Sequence, residues 1–155
     1  MRTSEGREFA FLGRDPDDAE VCMWTTTSGR GVSRQVRGLW SATAETSRFH
    51  REGLRQLFPL GPSKTASYTS ATNRGFWRYN WRVLGEQRVT VPAGEFDVWV
   101  LEFSEDSVNN LFRGERIFYV DKATHTPVRV DSRVVRGMSS YTPSWQAVTF
   151  TRPGR

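Results

Sequence analysis

At 155 residues the chain is long enough to bury one core of ordinary size, which argues for a single domain spanning 1–155 with frayed ends near 1–6 and 152–155. A net charge of +5 permits a polyanionic partner without establishing one. The lone Cys22 excludes an intrachain disulfide and a cysteine-based metal site, and no apolar run approaches the ~18 residues of a membrane span.

Taken in order, the segments read as strands with one interruption. "REFAFLG" opens as a short strand ending at the turn "GRDPDD". "AEVCMWTTT" follows, closed by "SGRG", and then "VSRQVRGLWSAT". The alternation around Cys22 predicts a buried, inert thiol. The segment "ETSRFHREGLRQLFPL" predicts the one helix, near Thr46 to Phe58, with Phe49, Leu54, Leu57 and Phe58 on a shared face. Pro59 requires a stop at about Phe58, while Gly53 weakens the helix from within.

After "GPSK" the strand signals run without a break to the end: "TASYTSAT", "GFWRYNWRVLG", "EQRVTV", "EFDVWVLEFS", "RGERIFYVDK", "TPVRVDSRVVRG" and "SWQAVTFT". Turn residues in "TNRG", "VPAGEF", "SVNN", "DKATHTP" and "YTP" separate most of them. The expected fold is mainly β: a single curved antiparallel sheet, an open half-barrel of about seven to nine strands, with one short helix packed against it.

The chain is 37% hydrophobic and 13% aromatic, so rings must build much of the core. They concentrate in "GFWRYNWRVLG", where Trp77, Tyr79, Trp81 and Val83 take every second position and Arg78 and Arg82 fall between them. On a strand this puts the rings on one face and the arginines on the other. Trp99 and Tyr119 lie in strands that follow. One reading is that these rings fill the core. The other is that Trp77, Tyr79, Trp81, Trp99 and Tyr119 line a concave face and leave an apolar cleft, because rigid rings fill space poorly without smaller side chains between them. Such a cleft would take an acyl chain or an apolar partner segment, and arginines at its rim would favour an anionic head.

The search for catalysis is thin. His50 and His125 have no metal-ligand spacing with each other or with Cys22. Both are expected at the surface, His125 in the "DKATHTP" turn. Asp15, Asp17 and Asp18 read as an ordinary acidic turn, lacking the glycine and glutamate of a calcium loop. Glu102, Glu105 and Asp106 gather three carboxylates at a strand end without a recognisable acid, base or nucleophile beside them. No nucleophile elbow, phosphate loop or dinucleotide fingerprint is present. The expectation is a protein that is not an enzyme and calls for no cofactor and no metal.

Of the 22 basic residues only Lys64 and Lys122 are lysine. That imbalance has two readings, the codon bias of a GC-rich genome or a surface suited to bidentate anion recognition. A nucleic-acid role for the ring stripe is disfavoured, because Arg78 and Arg82 point away from the rings and the arginines are diluted by 17 acidic residues.

"VPAGEFDVWVLEF" followed by "ERIFYVDKATHTPVRVDSRV", with "LFPLGPSKTASYT" upstream, resembles a set of bacterial periplasmic or secreted proteins of unknown function. Their architecture is similar to the lipoprotein-carrier group (LolA- and LolB-like), an open half-barrel closed on one side by helices. The resemblance covers roughly Leu54 to Arg136. It implies an extracytoplasmic setting, periplasmic or secreted. The N-terminus "MRTSEGREF" has no signal-peptide pattern, which leaves a cytoplasmic location or a leader not included in this chain as alternatives. The function expected is a binding or scaffolding module for an apolar or acyl ligand or a partner segment. A structural subunit without a ligand is the alternative, and nucleic-acid binding is the second.

Overall fold

A computed structural model describes residues 1–26, 31–41, 47–72, 75–137 and 142–151. In chain order the elements are β1 (Arg2–Thr3), β2 (Phe9–Arg14), β3 (Val21–Thr26), β4 (Val32–Val36), β5 (Trp40–Ser41) and the helix α1 (Ser47–Leu54). A 3-10 turn (Arg55–Leu57) extends α1. Then come β6 (Thr65–Thr72), β7 (Gly75–Val91), β8 (Gly94–Ser107), β9 (Arg113–Asp121), β10 (Pro127–Arg136) and β11 (Trp145–Thr149). Every pairing is antiparallel.

The mainly-β expectation with one short helix holds. The main sheet has seven strands in the order β1-β11-β10-β9-β8-β7-β6, and it is not closed into a barrel. Beyond the single sheet expected, β2-β3-β4-β5 form a second sheet of four strands. The reason lies in "VSRQVRGLWSAT", which is not one strand. It turns at Arg37 and Gly38, whose φ values are 53° and 69°, so the chain doubles back on itself instead of joining the main sheet. The N-terminal fraying expected at 1–6 is corrected too. Arg2 and Thr3 pair with Thr149 and Ala147, and the buried Thr3 anchors the end. The expected end at 152–155, the turn at 28–30 and the helix start at Thr46 lie outside the described residues.

"GFWRYNWRVLG" and "EQRVTV" form one 17-residue strand rather than two. Its register against β8 is regular until Val83 pairs with Leu101. Gly85 then pairs with Val100, so Leu84 is an extra residue in a bulge. Gly85 has φ 149°, a conformation that a side chain would strain. Past the bulge, odd-numbered residues of β7 change face. Val83 belongs to a cluster with Trp81, Leu101, Phe103, Phe118, Val130 and Leu54, which also takes in Val21 and Val36 of the smaller sheet. Val89 and Val91 belong to a separate cluster with Phe96, Val98, Val100, Val128 and Ala147. At that end Ala93 N–H donates to the Ala147 carbonyl at 3.1 Å, tying β11 to the β7–β8 turn.

The helix sits over β6 and β7. Its inward positions are His50, Gly53, Leu54 and, one turn on, Leu57 in the 3-10 segment, all buried and spaced as one helical face. Phe49, expected inside, is 37% exposed. Gly53 is explained by close approach: a Cβ there would lie 2.0 Å from Cδ1 of Tyr68. Gly53→Ala is therefore expected to destabilise the fold by ~1–3 kcal/mol through overpacking, despite the gain of ~1 kcal/mol in helix propensity. Urea denaturation of the variant checks this, and a variant more stable than the parent would contradict the tight contact. Among the described residues no helix is long and apolar enough to cross a membrane.

Candidate functional site

The ring stripe takes the expected register. Tyr79 and Trp81 are buried at 5% and 2% exposure and Trp77 is half-buried on the same face, while Arg78 and Arg82 are exposed on the other. Its surroundings correct the expectation of an open cleft there. Trp40 from the smaller sheet packs over the stripe, with ring centroids 5.7 Å from Tyr79 and 6.3 Å from Trp81. Phe103 stands 4.4 Å from Trp81, and Trp77 packs edge-on against Phe112 at 5.7 Å. Smaller side chains, Val83, Leu101 and Ala66, fill the gaps between rings.

Trp99 shares this face and is half-buried, with the Lys122 ammonium 4.8 Å from its ring centre. Tyr119 does not share it. It pairs with Val100 and packs on the second cluster, across the sheet from Trp81. Its ring lies under the Arg129 guanidinium at 4.8 Å, and its hydroxyl donates to Asp131 at 3.2 Å. The five residues expected to form one wall are thus split four to one.

Beneath the helix a polar network threads the core. Trp81 Nε1–H donates to the Tyr68 hydroxyl at 3.4 Å, and that hydroxyl lies 3.0 Å from His50 Nδ1. Ser70 donates to the Tyr79 hydroxyl at 3.3 Å. His50, expected at the surface, is 2% exposed. Burial lowers its pKa to about 4, so the imidazole is neutral and accepts at Nδ1 when Tyr68 donates. His125 is exposed, as expected. Cys22 is half-buried, and burial pushes its thiol above the ordinary value. The acidic turn binds arginine: Asp15 pairs with Arg34 at 2.7 Å, and Asp18 pairs with Arg51.

Several arginines of the sheet are likewise engaged. Arg82 pairs with Glu102 at 2.8 Å, Arg129 with Asp131 at 2.8 Å, and Arg113 with Glu115 at 3.0 Å. Hydrogen bonds from Arg133 hold the Glu115 carboxyl below its ordinary value, and those from Arg113 add to the effect against the opposing pull of burial. Surface pairs of this kind stabilise little individually. They do interleave the cations with carboxylates, which leaves the nucleic-acid alternative unsupported.

The cleft lies elsewhere, between the two sheets. It has a volume of about 500 Å³, within the range of small-molecule sites. On one side are Phe9, Trp24, Ser33 and Gln35, which the strand register places on a common face of the smaller sheet. Phe118, Val130 and Trp145 of the main sheet form the other side, and Trp40 closes an end. Among these walls stand Arg7, Arg116 and Glu105. The Arg116 guanidinium lies 5.1 Å from the Trp40 ring centre and 3.9 Å from Glu105, with both side chains largely covered. Trp24 Nε1 is buried without a hydrogen-bond partner among the described residues.

A larger hollow, of about 640 Å³, lies on the outer surface between Glu86, Arg88, Asp97 and Lys122. Its walls are charged and already paired, Lys122 with Glu86 at 2.5 Å and Arg88 with Asp97 at 2.9 Å. The ring-walled cleft is the better candidate. Reading the sequence missed it because its walls come from opposite ends of the chain. The available signal was Trp24 and Trp40, rings in early strands that had to face something.

Residues 52–139, more than half of the chain, match the family described as DUF3108, a protein of unknown function. The chain belongs to that family. The matched span nearly coincides with the expected Leu54 to Arg136 resemblance. It covers the end of α1 and β6 to β10, and leaves β1 to β5 and β11 outside it. Neither the curated proteins nor the solved structures yield a match.

Proposed function

We propose that this member of the family is a non-enzymatic, extracytoplasmic binding module that holds an apolar or acyl ligand in the cleft between its two sheets. One observation carries the reading: a hollow of about 500 Å³ walled by Phe9, Trp24, Trp40, Phe118 and Trp145. Rings with polar tips suit a site that must solvate an apolar chain and still fix its orientation. Binding is favoured over catalysis because the charged pair at the cleft wall, Arg116 and Glu105, lies at ion-pair distance. An open antiparallel sheet with a helix over one face is also what a lipoprotein-carrier-like architecture would need, and that likeness supports a bacterial periplasmic or secreted setting. The proposed site lies beside the stripe first expected, and the proposed ligand class is the same.

Three of the six tryptophans, Trp24, Trp40 and Trp145, border the cleft, so intrinsic fluorescence reports on it directly. Titration with decanoate below its micellar concentration is expected to shift the emission saturably. Ser33→Phe, which projects a ring into the cleft, should weaken that response at least tenfold while leaving the far-UV circular dichroism unchanged. An equal response in the filled variant would place the ligand elsewhere. No response to any amphiphile would favour a structural subunit without a ligand. Fractionation of cells expressing the full gene product tests the compartment, and recovery in the cytoplasm would overturn that part.

A further inference from the structure

We infer that the cleft takes its amphiphile head-first, and that the head is a carboxylate received by the Arg116 guanidinium and the Trp24 indole N–H. This rests on the binding reading above and specifies its ligand. The sequence alone pointed to arginines at the rim of a cleft. Here the charged groups are within the walls: Arg116 and Glu105 have side chains only 15% and 12% exposed. Two arginines and one glutamate line the cleft, so its fixed charge is positive. The Arg116 guanidinium lies 5.1 and 5.9 Å from the Trp40 and Phe103 ring centres, cation–π contacts that hold it within the wall. A guanidinium suits a planar, bidentate acceptor such as a carboxylate.

From the opposite sheet comes an independent observation. Trp24 Nε1 is a buried donor with no acceptor among the described residues, and buried donors in folded proteins are ordinarily satisfied. Its ring is fixed by Phe11, with centroids 5.0 Å apart, and it borders the same cleft as Arg116. An oxygen of the head group would satisfy it. The acyl chain then runs along Phe118, Val130 and Trp145. A fatty alcohol or a methyl ester offers the same chain and a neutral oxygen but no charge to meet Arg116.

The experiment compares decanoate, decanol and methyl decanoate by tryptophan fluorescence and calorimetry at pH 7.5. Decanoate should bind at least tenfold more tightly than the two neutral ligands. Arg116→Gln should bring decanoate down to the level of the neutral ligands, so that the ratio of decanoate to decanol affinity falls to about one. Trp24→Phe keeps an aromatic ring at the position but removes the donor, so it should weaken decanoate severalfold and decanol by less. It also carries the test if the glutamine variant does not fold. Equal affinity for decanoate and decanol would overturn the carboxylate inference and leave the acyl reading standing, as would a decanoate preference that survives both substitutions. Failure of all three ligands to bind would overturn both.

Discussion

Trp81→Ala is expected to destabilise the protein by ~3–5 kcal/mol, the range for removing a close-packed indole from a core. Trp81 is 2% exposed and is gripped by Trp40, Phe103 and Phe118, with centroid distances of 6.3, 4.4 and 5.3 Å. Those neighbours belong to both sheets, so the cavity has rigid walls and cannot collapse cheaply. The substitution also removes the donor to Tyr68. Urea unfolding followed by circular dichroism measures the loss. A cost below ~1 kcal/mol would mean that the smaller sheet is loosely seated over the stripe.

The second large effect is pH-dependent and centres on His50. Burial lowers its folded-state pKa to about 4 from an ordinary 6.5. Between those values the unfolded chain binds a proton that the folded protein refuses, so stability falls as pH falls through this window. Above pH 6.5 both states are neutral at this site and it contributes no dependence. At about 1.4 kcal/mol per pH unit, the loss from pH 7.5 to pH 4.5 is about 2–3 kcal/mol. His50→Gln keeps a group able to meet the Tyr68 hydroxyl but does not titrate. The stability difference between parent and variant should therefore change by that amount over the same range, since contributions from carboxylates cancel. A difference independent of pH would show that the helix admits water or a counter-charge to the imidazole.

Local signals were legible wherever a strand met its neighbour in sequence. From Thr65 onward the hairpins follow the turn residues closely: β6 spans Thr65–Thr72, the whole of "TASYTSAT". Alternation placed Trp81 inside and Arg82 outside, because a one-residue register error would have exposed every ring at once. What was not legible depended on contacts between distant segments. No pattern in "VSRQVRGLWSAT" announces that Trp40 will cross to cover Tyr79, and the turn has a single glycine signal, Gly38, beside an arginine with φ 53°. His50 was misplaced because its neighbours Arg48 and Arg51 are polar, and a helix hides one residue in three or four regardless of what flanks it. The cleft was invisible for a similar reason. Its two walls are β2 to β4 and β8 to β11, and only the folded chain brings them together.

The bulge at Leu84 has a consequence for how this chain tolerates changes in length. Before it, the odd positions of β7 feed the cluster around Trp81; beyond it, they feed the cluster around Val98 on the reverse side. The extra residue therefore acts as a phase shift written into a single strand. Removing it would restore plain alternation, with Gly85 still opposite Val100 and Val89 still opposite Phe96, so the valines beyond would keep their side of the sheet. What would go is the local kink and added twist that the bulge gives the strand. A second residue added there has no such escape, because it must widen the bulge or slip the register beyond it. One unpaired leucine thus marks the point along β7 where the chain can lose a residue and keep both interiors aligned.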